Sequence, residues 1–296
     1  MKKFSSFMKR GGLVACALLL AFALDFALAH SGWIRDSGYF WLDDFEITQR
    51  QHPEEVWERV IYGSSELTSG YREDLSRSGY VNMGMDYATI VDLVEILEGG
   101  HIQVGSELVL ALNWGALCDT LETNPTYEWH RAWYEPYFYF QRDRIAGLVT
   151  DTFRALMGAG EFRAPQWLTQ EKAYYYGHMT QAELEERVAR LHELYLAGGV
   201  ADFQENLAAL AEVFAFCDAN GIRVRALWLP ENPAVALDSV DVEVREAARQ
   251  VCQDHGVEFY DMTDALAADC FYDTGHMEYE YGAVVFTEVL DPWLLS

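Results

Sequence analysis

Two short segments near opposite ends of the chain carry residue types that can form a nucleophilic centre. Ser64 and Ser65 follow an apolar stretch that ends at Gly63, and Asp273 and His276 are three positions apart in "CFYDTGHMEYEYG". Residues i and i+3 of a turn lie close together, so Asp273 can accept a hydrogen bond from His276 and orient its ring. Such a histidine activates a serine hydroxyl by removing its proton. These residues therefore predict a Ser-His-Asp centre with Ser65 as the nucleophile.

An acyl-transfer centre also needs hydrogen-bond donors for the oxyanion that forms during the reaction. We expect these donors to be the backbone N–H groups of Ser65 and Gly84 and the side-chain amide of Asn113, because each residue follows a predicted strand. An alternative is that the serine pair only begins a helix, since serine is a preferred N-cap residue. Glu66 is then expected in the first helical turn, where the helix dipole favours a carboxylate.

Strands and helices alternate along most of the chain, which indicates how these residues are positioned. Strands are predicted at 56–63, 80–84, 106–115, 222–230 and 257–263, a helix and loop at 65–79, and helices at 86–100, 180–199, 203–219, 241–256 and 277–295. This alternation is typical of a three-layer α/β/α sandwich with a parallel, flavodoxin-like sheet. Ligands of such sheets bind beyond the carboxyl ends of the strands, where the candidate residues lie.

Residues 120–200 interrupt this alternation and are predicted to be a mainly helical insertion in a domain that spans 56–296. Residues 31–55 are predicted to be a linker. Aromatic side chains crowd the insertion, and they could pack on the main domain, stack on sugar rings or lie at a membrane interface. The residues concerned are Tyr127, Trp129, Trp133, Tyr134, Tyr137, Phe138, Tyr139 and Phe140.

The N-terminus has the pattern of an export signal. The basic stretch "MKKFSSFMKRGG" precedes an apolar run at 13–29, which would be about 26 Å long as a helix. Cleavage after Ala29 would make it a signal peptide. Retention through Trp33 would make it a membrane anchor, although Asp25 disfavours deep burial. Both alternatives place residues 31–296 outside the cytoplasm, because the basic flank stays inside.

The charge balance excludes nucleic acid as an expected partner. The chain has 21 basic and 47 acidic residues and a formal net charge of −26. Residues 1–29 contain four basic residues and one acidic residue, so the exported part carries −29. Phosphate backbones are bound by clustered Lys and Arg, and no such cluster follows the N-terminus.

Four cysteines lie in the exported part, at Cys118, Cys217, Cys252 and Cys270. An even number in an oxidising compartment permits two disulfides, and buried free thiols are the alternative. One specific hypothesis is a Cys118–Cys270 disulfide, because both residues follow strands whose carboxyl ends face the predicted site. No cysteine or histidine spacing indicates a metal site, and no cofactor is expected.

The order of the candidate residues resembles the SGNH (GDSL-type) serine hydrolase family. The family has a nucleophilic serine after its first strand, a glycine after the second, an asparagine after the third and D-x-x-H near the C-terminus. The matching residues here are Ser65, Gly84, Asn113, Asp273 and His276. The resemblance covers about 56–118 and 203–294. Two segments depart from the family pattern: "GSS" stands in place of G-D-S, and "ALNW" stands in place of G-x-N-D.

More narrowly, "GSSEL" and "FYDTGHMEYEYG" are similar to membrane-anchored, DltD-like D-alanyl transfer proteins. The resemblance implies an extracytoplasmic serine esterase or O-acyltransferase that acts on acyl groups of a cell-surface glycan or cell-wall polymer. Its expected partners are a membrane-bound O-acyltransferase, the acceptor polymer and, through the N-terminus, the cell membrane. The alternatives are a non-catalytic surface binding or assembly protein on the same scaffold and a free secreted esterase.

Overall fold

The computed structural model of the protein describes residues 2–30, 43–124, 127–130, 153, 156–158 and 172–296. The chain divides into two compact units, one of residues 1–43 and 130–171 and the other of residues 44–129 and 172–296. The first unit contains helix α1, Lys2–His30. No helix within the described ranges combines the length and the hydropathy needed to cross a membrane. The predicted aromatic cluster from Trp133 to Phe140 lies outside the described residues.

The second unit is built on a parallel sheet of five strands, and the predicted fold class is confirmed. Its strands run side by side in the order β2-β1-β3-β4-β5, which is the flavodoxin-like order. The strands are β1 Trp57–Gly63, β2 Val81–Gly84, β3 Val104–Leu112, β4 Arg223–Trp228 and β5 Glu258–Asp261.

Helices connect and cover these strands, and several of them differ from the sequence-based expectation: α5 begins inside the predicted third strand, and α9 begins five residues later than predicted. Helix α2 forms inside the predicted linker because Phe45, Ile47 and Thr48 are buried. Helix α4 begins later than predicted because Thr89 and Asp92 cap it reciprocally. The helices are α2 Asp44–Gln51, α3 Ser65–Gly70, α4 Ile90–Glu98, α5 Trp114–Leu117, α6 Gln181–Leu191, α7 Gln204–Asn220, α8 Ser239–Asp254 and α9 Gly282–Leu294.

Alternate side chains of each strand enter two separate cores, one on each face of the sheet. In β1, Val60 and Tyr62 belong to the core that includes α4, α7 and α8, whereas Ile61 belongs to the core that includes α3 and α9. Cys118 lies in the first core and Cys270 in the second, and both thiols are free. The predicted Cys118–Cys270 disulfide is therefore wrong, because the sheet separates the two residues. Cys217 and Cys252 are also free and buried.

Gly84 ends β2 and allows α3 to pack directly against that strand. A Cβ atom at position 84 would lie only 2.7 Å from the Cα atom of Thr68 and would also clash with the Thr68 nitrogen. Because these are backbone atoms of α3, a side chain at Gly84 would displace the helix. This close contact positions the N-terminus of α3, where Ser65 lies.

We predict that Gly84→Ala lowers the free energy of unfolding by roughly 1–3 kcal/mol, because the backbone of α3 must move to admit the methyl group. Urea denaturation followed by circular dichroism measures this change. Gly115→Ala is the matched control, since the nearest atom to its Cβ would be 3.5 Å away. If Gly84→Ala unfolds like the wild type, α3 does not depend on this contact.

Candidate active site

Ser65 is the first residue of α3, two residues beyond the carboxyl end of β1. Ser64 occupies the N-cap position with an extended backbone, but its hydroxyl makes no capping hydrogen bond and has no partner among the described residues. The side-chain cap that the serine pair could have provided is thus not formed. Ser65 Oγ instead lies 2.9 Å from Nε2 of His276.

The segment that carries Asp273 and His276 is closed by its own hydrogen bonds. Phe271 and Met277 form an antiparallel bridge at its base. Inside this loop, Oδ1 of Asp273 accepts from the backbone N–H groups of Gly275 at 3.0 Å and of His276 at 2.8 Å. A carboxylate that folds its own loop in this way is typical of Asx turns. The D-x-x-H segment therefore forms a local, preorganised structure.

Ser65, His276 and Asp273 form a continuous hydrogen-bonded chain. Nδ1 of His276 lies 2.9 Å from Oδ2 and 3.1 Å from Oδ1 of Asp273, while Nε2 faces the Ser65 hydroxyl. Asp273 is fully buried and His276 is 8% exposed, so solvent competes little for these contacts. This geometry allows His276 to accept the Ser65 proton while Asp273 orients the imidazole.

The charges of the two partners support this arrangement. Burial alone lowers the pKa of His276, but the hydrogen bond and the charge of Asp273 outweigh burial and raise the pKa. Burial raises the pKa of Asp273, but the hydrogen bond from His276 and the charges of His276 and Arg187 lower it overall. Asp273 is consequently ionised at neutral pH and makes the histidine a stronger base.

Of the two other predicted oxyanion donors, Asn113 lies at the site and Gly84 does not. Oδ1 of Asn113 accepts from the Ala116 N–H at 2.8 Å and caps α5. Its amide Nδ2 carries two N–H groups, of which one donates to the Glu66 carboxyl and the other remains as a donor. Asn113 lines the same cavity as Ser65. The Gly84 N–H is instead donated to Oδ1 of Asn82 at 2.9 Å, and Gly84 does not line that cavity. The structure thus gives Gly84 a packing role in place of the predicted oxyanion role.

A cavity of about 480 Å³ lies above the Ser65 hydroxyl, within the second unit. Its lining combines aromatic and apolar side chains with charged and polar ones. The ring of Tyr175 lies 4.3 Å from that of His276, and the rings of Trp114 and Tyr195 are 5.8 Å apart on another wall. Such a volume is suited to a small ligand that presents an apolar or ring-shaped group and a carbonyl to the serine.

Two further residues lie at this centre, and the sequence pattern predicts a catalytic role for neither of them. Glu66 lines the cavity, and burial raises its pKa to about 7, although the charge of His276 and a hydrogen bond from Asn113 oppose the shift. Nη2 of Arg187 lies 2.9 Å from Oδ2 of Asp273. Glu66 follows the nucleophile directly, but Arg187 lies in the predicted insertion and has no sequence signal. Within the described residues, no cluster of His, Cys, Asp and Glu is arranged to hold a metal ion.

No protein-family model matches the chain, and no curated protein matches it. A solved structure described as an α/β-hydrolase enzyme from the metagenome of Lake Arreo, Spain, is similar at 12% identity and a TM-score of 0.36. The match covers 81% of this chain and 96% of that chain.

The raised pKa of Glu66 predicts how stability changes with pH. The pKa of Glu66 is about 7 in the folded chain, against 4.5 for a solvent-exposed Glu. The contribution of Glu66 to the free energy of unfolding is therefore full below about pH 4.5 and is lost as the pH rises to about 7. Glu66→Gln should match the wild type near pH 4.5 and exceed it by about 2–3 kcal/mol at pH 8. Urea denaturation at both pH values measures the difference.

Glu98→Gln, at an exposed position near the end of α4, is the control for this pH series. Its stability should follow that of the wild type at both pH values. An equal effect of the two substitutions would show that the Glu66 carboxyl is not held in a poorly solvated site.

Proposed function

We propose that the protein is a serine hydrolase or acyltransferase of the SGNH type. The observation that carries this proposal is the chain of 2.9 Å contacts from Ser65 Oγ to His276 Nε2 and from His276 Nδ1 to Asp273 Oδ2. A nucleophile, a base and a residue that orients the base are the minimal parts of such a centre. The order of these residues along the chain also matches the family pattern.

In the proposed reaction, Ser65 Oγ attacks the carbonyl carbon of an ester while His276 Nε2 takes the hydroxyl proton. The carbonyl oxygen becomes an oxyanion that faces the Ser65 N–H and the Asn113 amide. Collapse of the tetrahedral intermediate breaks the bond between the carbonyl carbon and the alcohol oxygen. His276 gives its proton to the departing alcohol, and the acyl group remains on Ser65.

The second half of the reaction repeats these steps with a new nucleophile. Water or an acceptor hydroxyl attacks the acyl-serine while His276 takes its proton, and Ser65 Oγ leaves and regains a proton from His276. Attack by water gives an esterase, and attack by a polymer hydroxyl gives an O-acyltransferase. We propose acyl groups of a cell-surface glycan or cell-wall polymer as substrates, with a membrane-bound O-acyltransferase as partner. The narrower similarity of "GSSEL" and "FYDTGHMEYEYG" to membrane-anchored D-alanyl transfer proteins supports this assignment.

A fluorophosphonate probe tests the nucleophile, because it bonds covalently to an activated serine. We predict that the wild type is labelled and that Ser65→Ala and His276→Ala lose labelling by about 100-fold or more while remaining folded. Gel fluorescence measures labelling, and circular dichroism checks the fold.

Ser64→Ala is the matched control for this experiment, since the Ser64 hydroxyl has no hydrogen-bond partner within the described part of the chain. It should retain labelling. Loss of labelling in Ser64→Ala with retention in Ser65→Ala would move the nucleophile by one residue. An unlabelled wild type would favour a non-catalytic binding or assembly role for the same scaffold.

We also propose that the N-terminal segment directs residues 31–296 out of the cytoplasm and is retained as an anchor. The basic residues that precede the apolar run support this orientation. Apolar side chains of α1 such as Leu13, Leu20 and Leu24 are more than half exposed, and a membrane would cover them.

Fractionation and intact-mass analysis of the protein from its native host test the proposed export. We predict the full-length chain in the membrane fraction. A soluble extracytoplasmic chain that begins at His30 would contradict retention and favour a secreted esterase. A cytoplasmic full-length chain would contradict export itself.

A further inference from the structure

The Asp273 carboxylate is shared between the histidine and an arginine from a different part of the chain. Nη2 of Arg187 and Nδ1 of His276 both lie 2.9 Å from Oδ2 of Asp273. Oδ1 is occupied by the backbone N–H groups of the loop that carries the histidine. The guanidinium is thus bound to the same oxygen that orients the imidazole.

Arg187 reaches Asp273 from helix α6, which supplies one wall of the cavity. Arg187, Arg190, Leu191 and Leu194 follow a spacing of three and four residues, and all four line the cavity. The Arg187 Nε atom is buried and has no partner among the residues that the structure describes. The ion pair with Asp273 is therefore the contact that fixes this guanidinium.

Charged and titratable groups face His276 from several elements of the second unit. Asp273 precedes it in its own loop, Glu66 approaches from α3, and Asp86 follows β2. Arg187 faces it from α6, and the Tyr175 ring packs against its imidazole. Among these groups, Arg187 supplies the positive charge that opposes the three carboxyl groups.

We propose that Arg187 is a positioning residue of the catalytic centre, which holds the Asp273 carboxylate through Oδ2 and limits the negative charge that His276 faces. This inference rests on the proposed function. Among the described residues the ion pair of Arg187 is with Asp273, and the Ser65 hydroxyl is paired with His276, so Arg187 acts through Asp273. A guanidinium is suited to this role because it stays charged and donates in a fixed direction.

Glu66 and Arg187 shift the pKa of His276 in opposite directions. Its negative charge raises the pKa of His276, and the charge of Arg187 lowers it. Removing either charge should therefore move the acid limb of the kcat/KM profile, where His276 becomes protonated, in opposite directions. A purely structural role for Arg187 would instead lower kcat/KM equally at every pH.

The experiment measures kcat/KM against pH for p-nitrophenyl acetate with the full-length protein. For Arg187→Gln we expect the acid limb to move to higher pH by roughly 0.5–1 unit, because loss of the positive charge makes His276 more basic. At pH values where His276 is mostly protonated, kcat/KM of Arg187→Gln should be about threefold or more below that of the wild type. At higher pH, where His276 is neutral in both proteins, the loss should be smaller. Arg187→Lys should restore much of the wild-type limb, because it keeps the charge.

Glu66→Gln should move the limb to lower pH by a smaller amount, because the Glu66 carboxyl is already partly protonated near pH 7. Arg190→Gln should leave the limb in place, since Arg190 lies on the same helix face but makes no ion pair with the described residues. An unmoved limb in Arg187→Gln, or an equal movement in Arg190→Gln, would overturn the positioning role.

NMR titration of His276 in ¹⁵N-histidine-labelled protein separates this inference from the proposed function, because it needs no turnover. A wild type that does not hydrolyse esters but whose His276 pKa rises in Arg187→Gln would contradict the hydrolase and support the positioning role. If the wild type is active and the His276 pKa is the same in Arg187→Gln, the hydrolase is supported and the positioning role is contradicted.

Discussion

The buried charge of Asp273 is the constraint on which the rest of the site depends. A carboxylate that is fully withdrawn from water is destabilising unless donors surround it. Its donors come from the Gly275 and His276 backbone, the His276 ring and Arg187 of helix α6. The same contacts that solvate this charge therefore shape the histidine loop, orient the imidazole and attach α6 to the centre.

The fold brings the other half of the site to this charge through the sheet. Strands β1 and β3 are neighbours, so Ser65 after β1 and Asn113 after β3 meet at the same edge. In the flavodoxin-like order, the connections that follow β1 and β3 run to opposite faces of the sheet. Ligands of such sheets bind at the carboxyl ends of these two strands. Gly84 at the end of β2 lets α3, which begins with Ser65, pack closely against the sheet.

The parts of the site that follow from local rules could be predicted from the sequence. Alternating strands and helices indicate a parallel sheet, and the spacing of Asp273 and His276 places both side chains in one turn. The position of Ser65 at a strand end follows from the same pattern. Each of these inferences uses neighbouring residues or a regular periodicity, so tertiary packing does not have to be known.

The remaining features depend on packing that a single sequence does not specify. Arg187 reaches Asp273 from a segment that is distant along the chain and was predicted to be an insertion. Gly84 matches a family position, yet its N–H is taken by the side chain of Asn82. Cys118 and Cys270 both follow strands, but the residues that follow a strand can enter either core, and these two enter opposite ones.

In the proposed mechanism, acyl transfer passes through a covalent intermediate on Ser65. The most direct measurement is rapid quenching of the wild-type protein in acid during turnover of p-nitrophenyl acetate, followed by peptide mapping by mass spectrometry. We expect an acetyl group on the peptide that contains Ser65, located at Ser65 by fragmentation. Turnover with the acetyl group on another residue, or with no acetylated peptide at all, would contradict it.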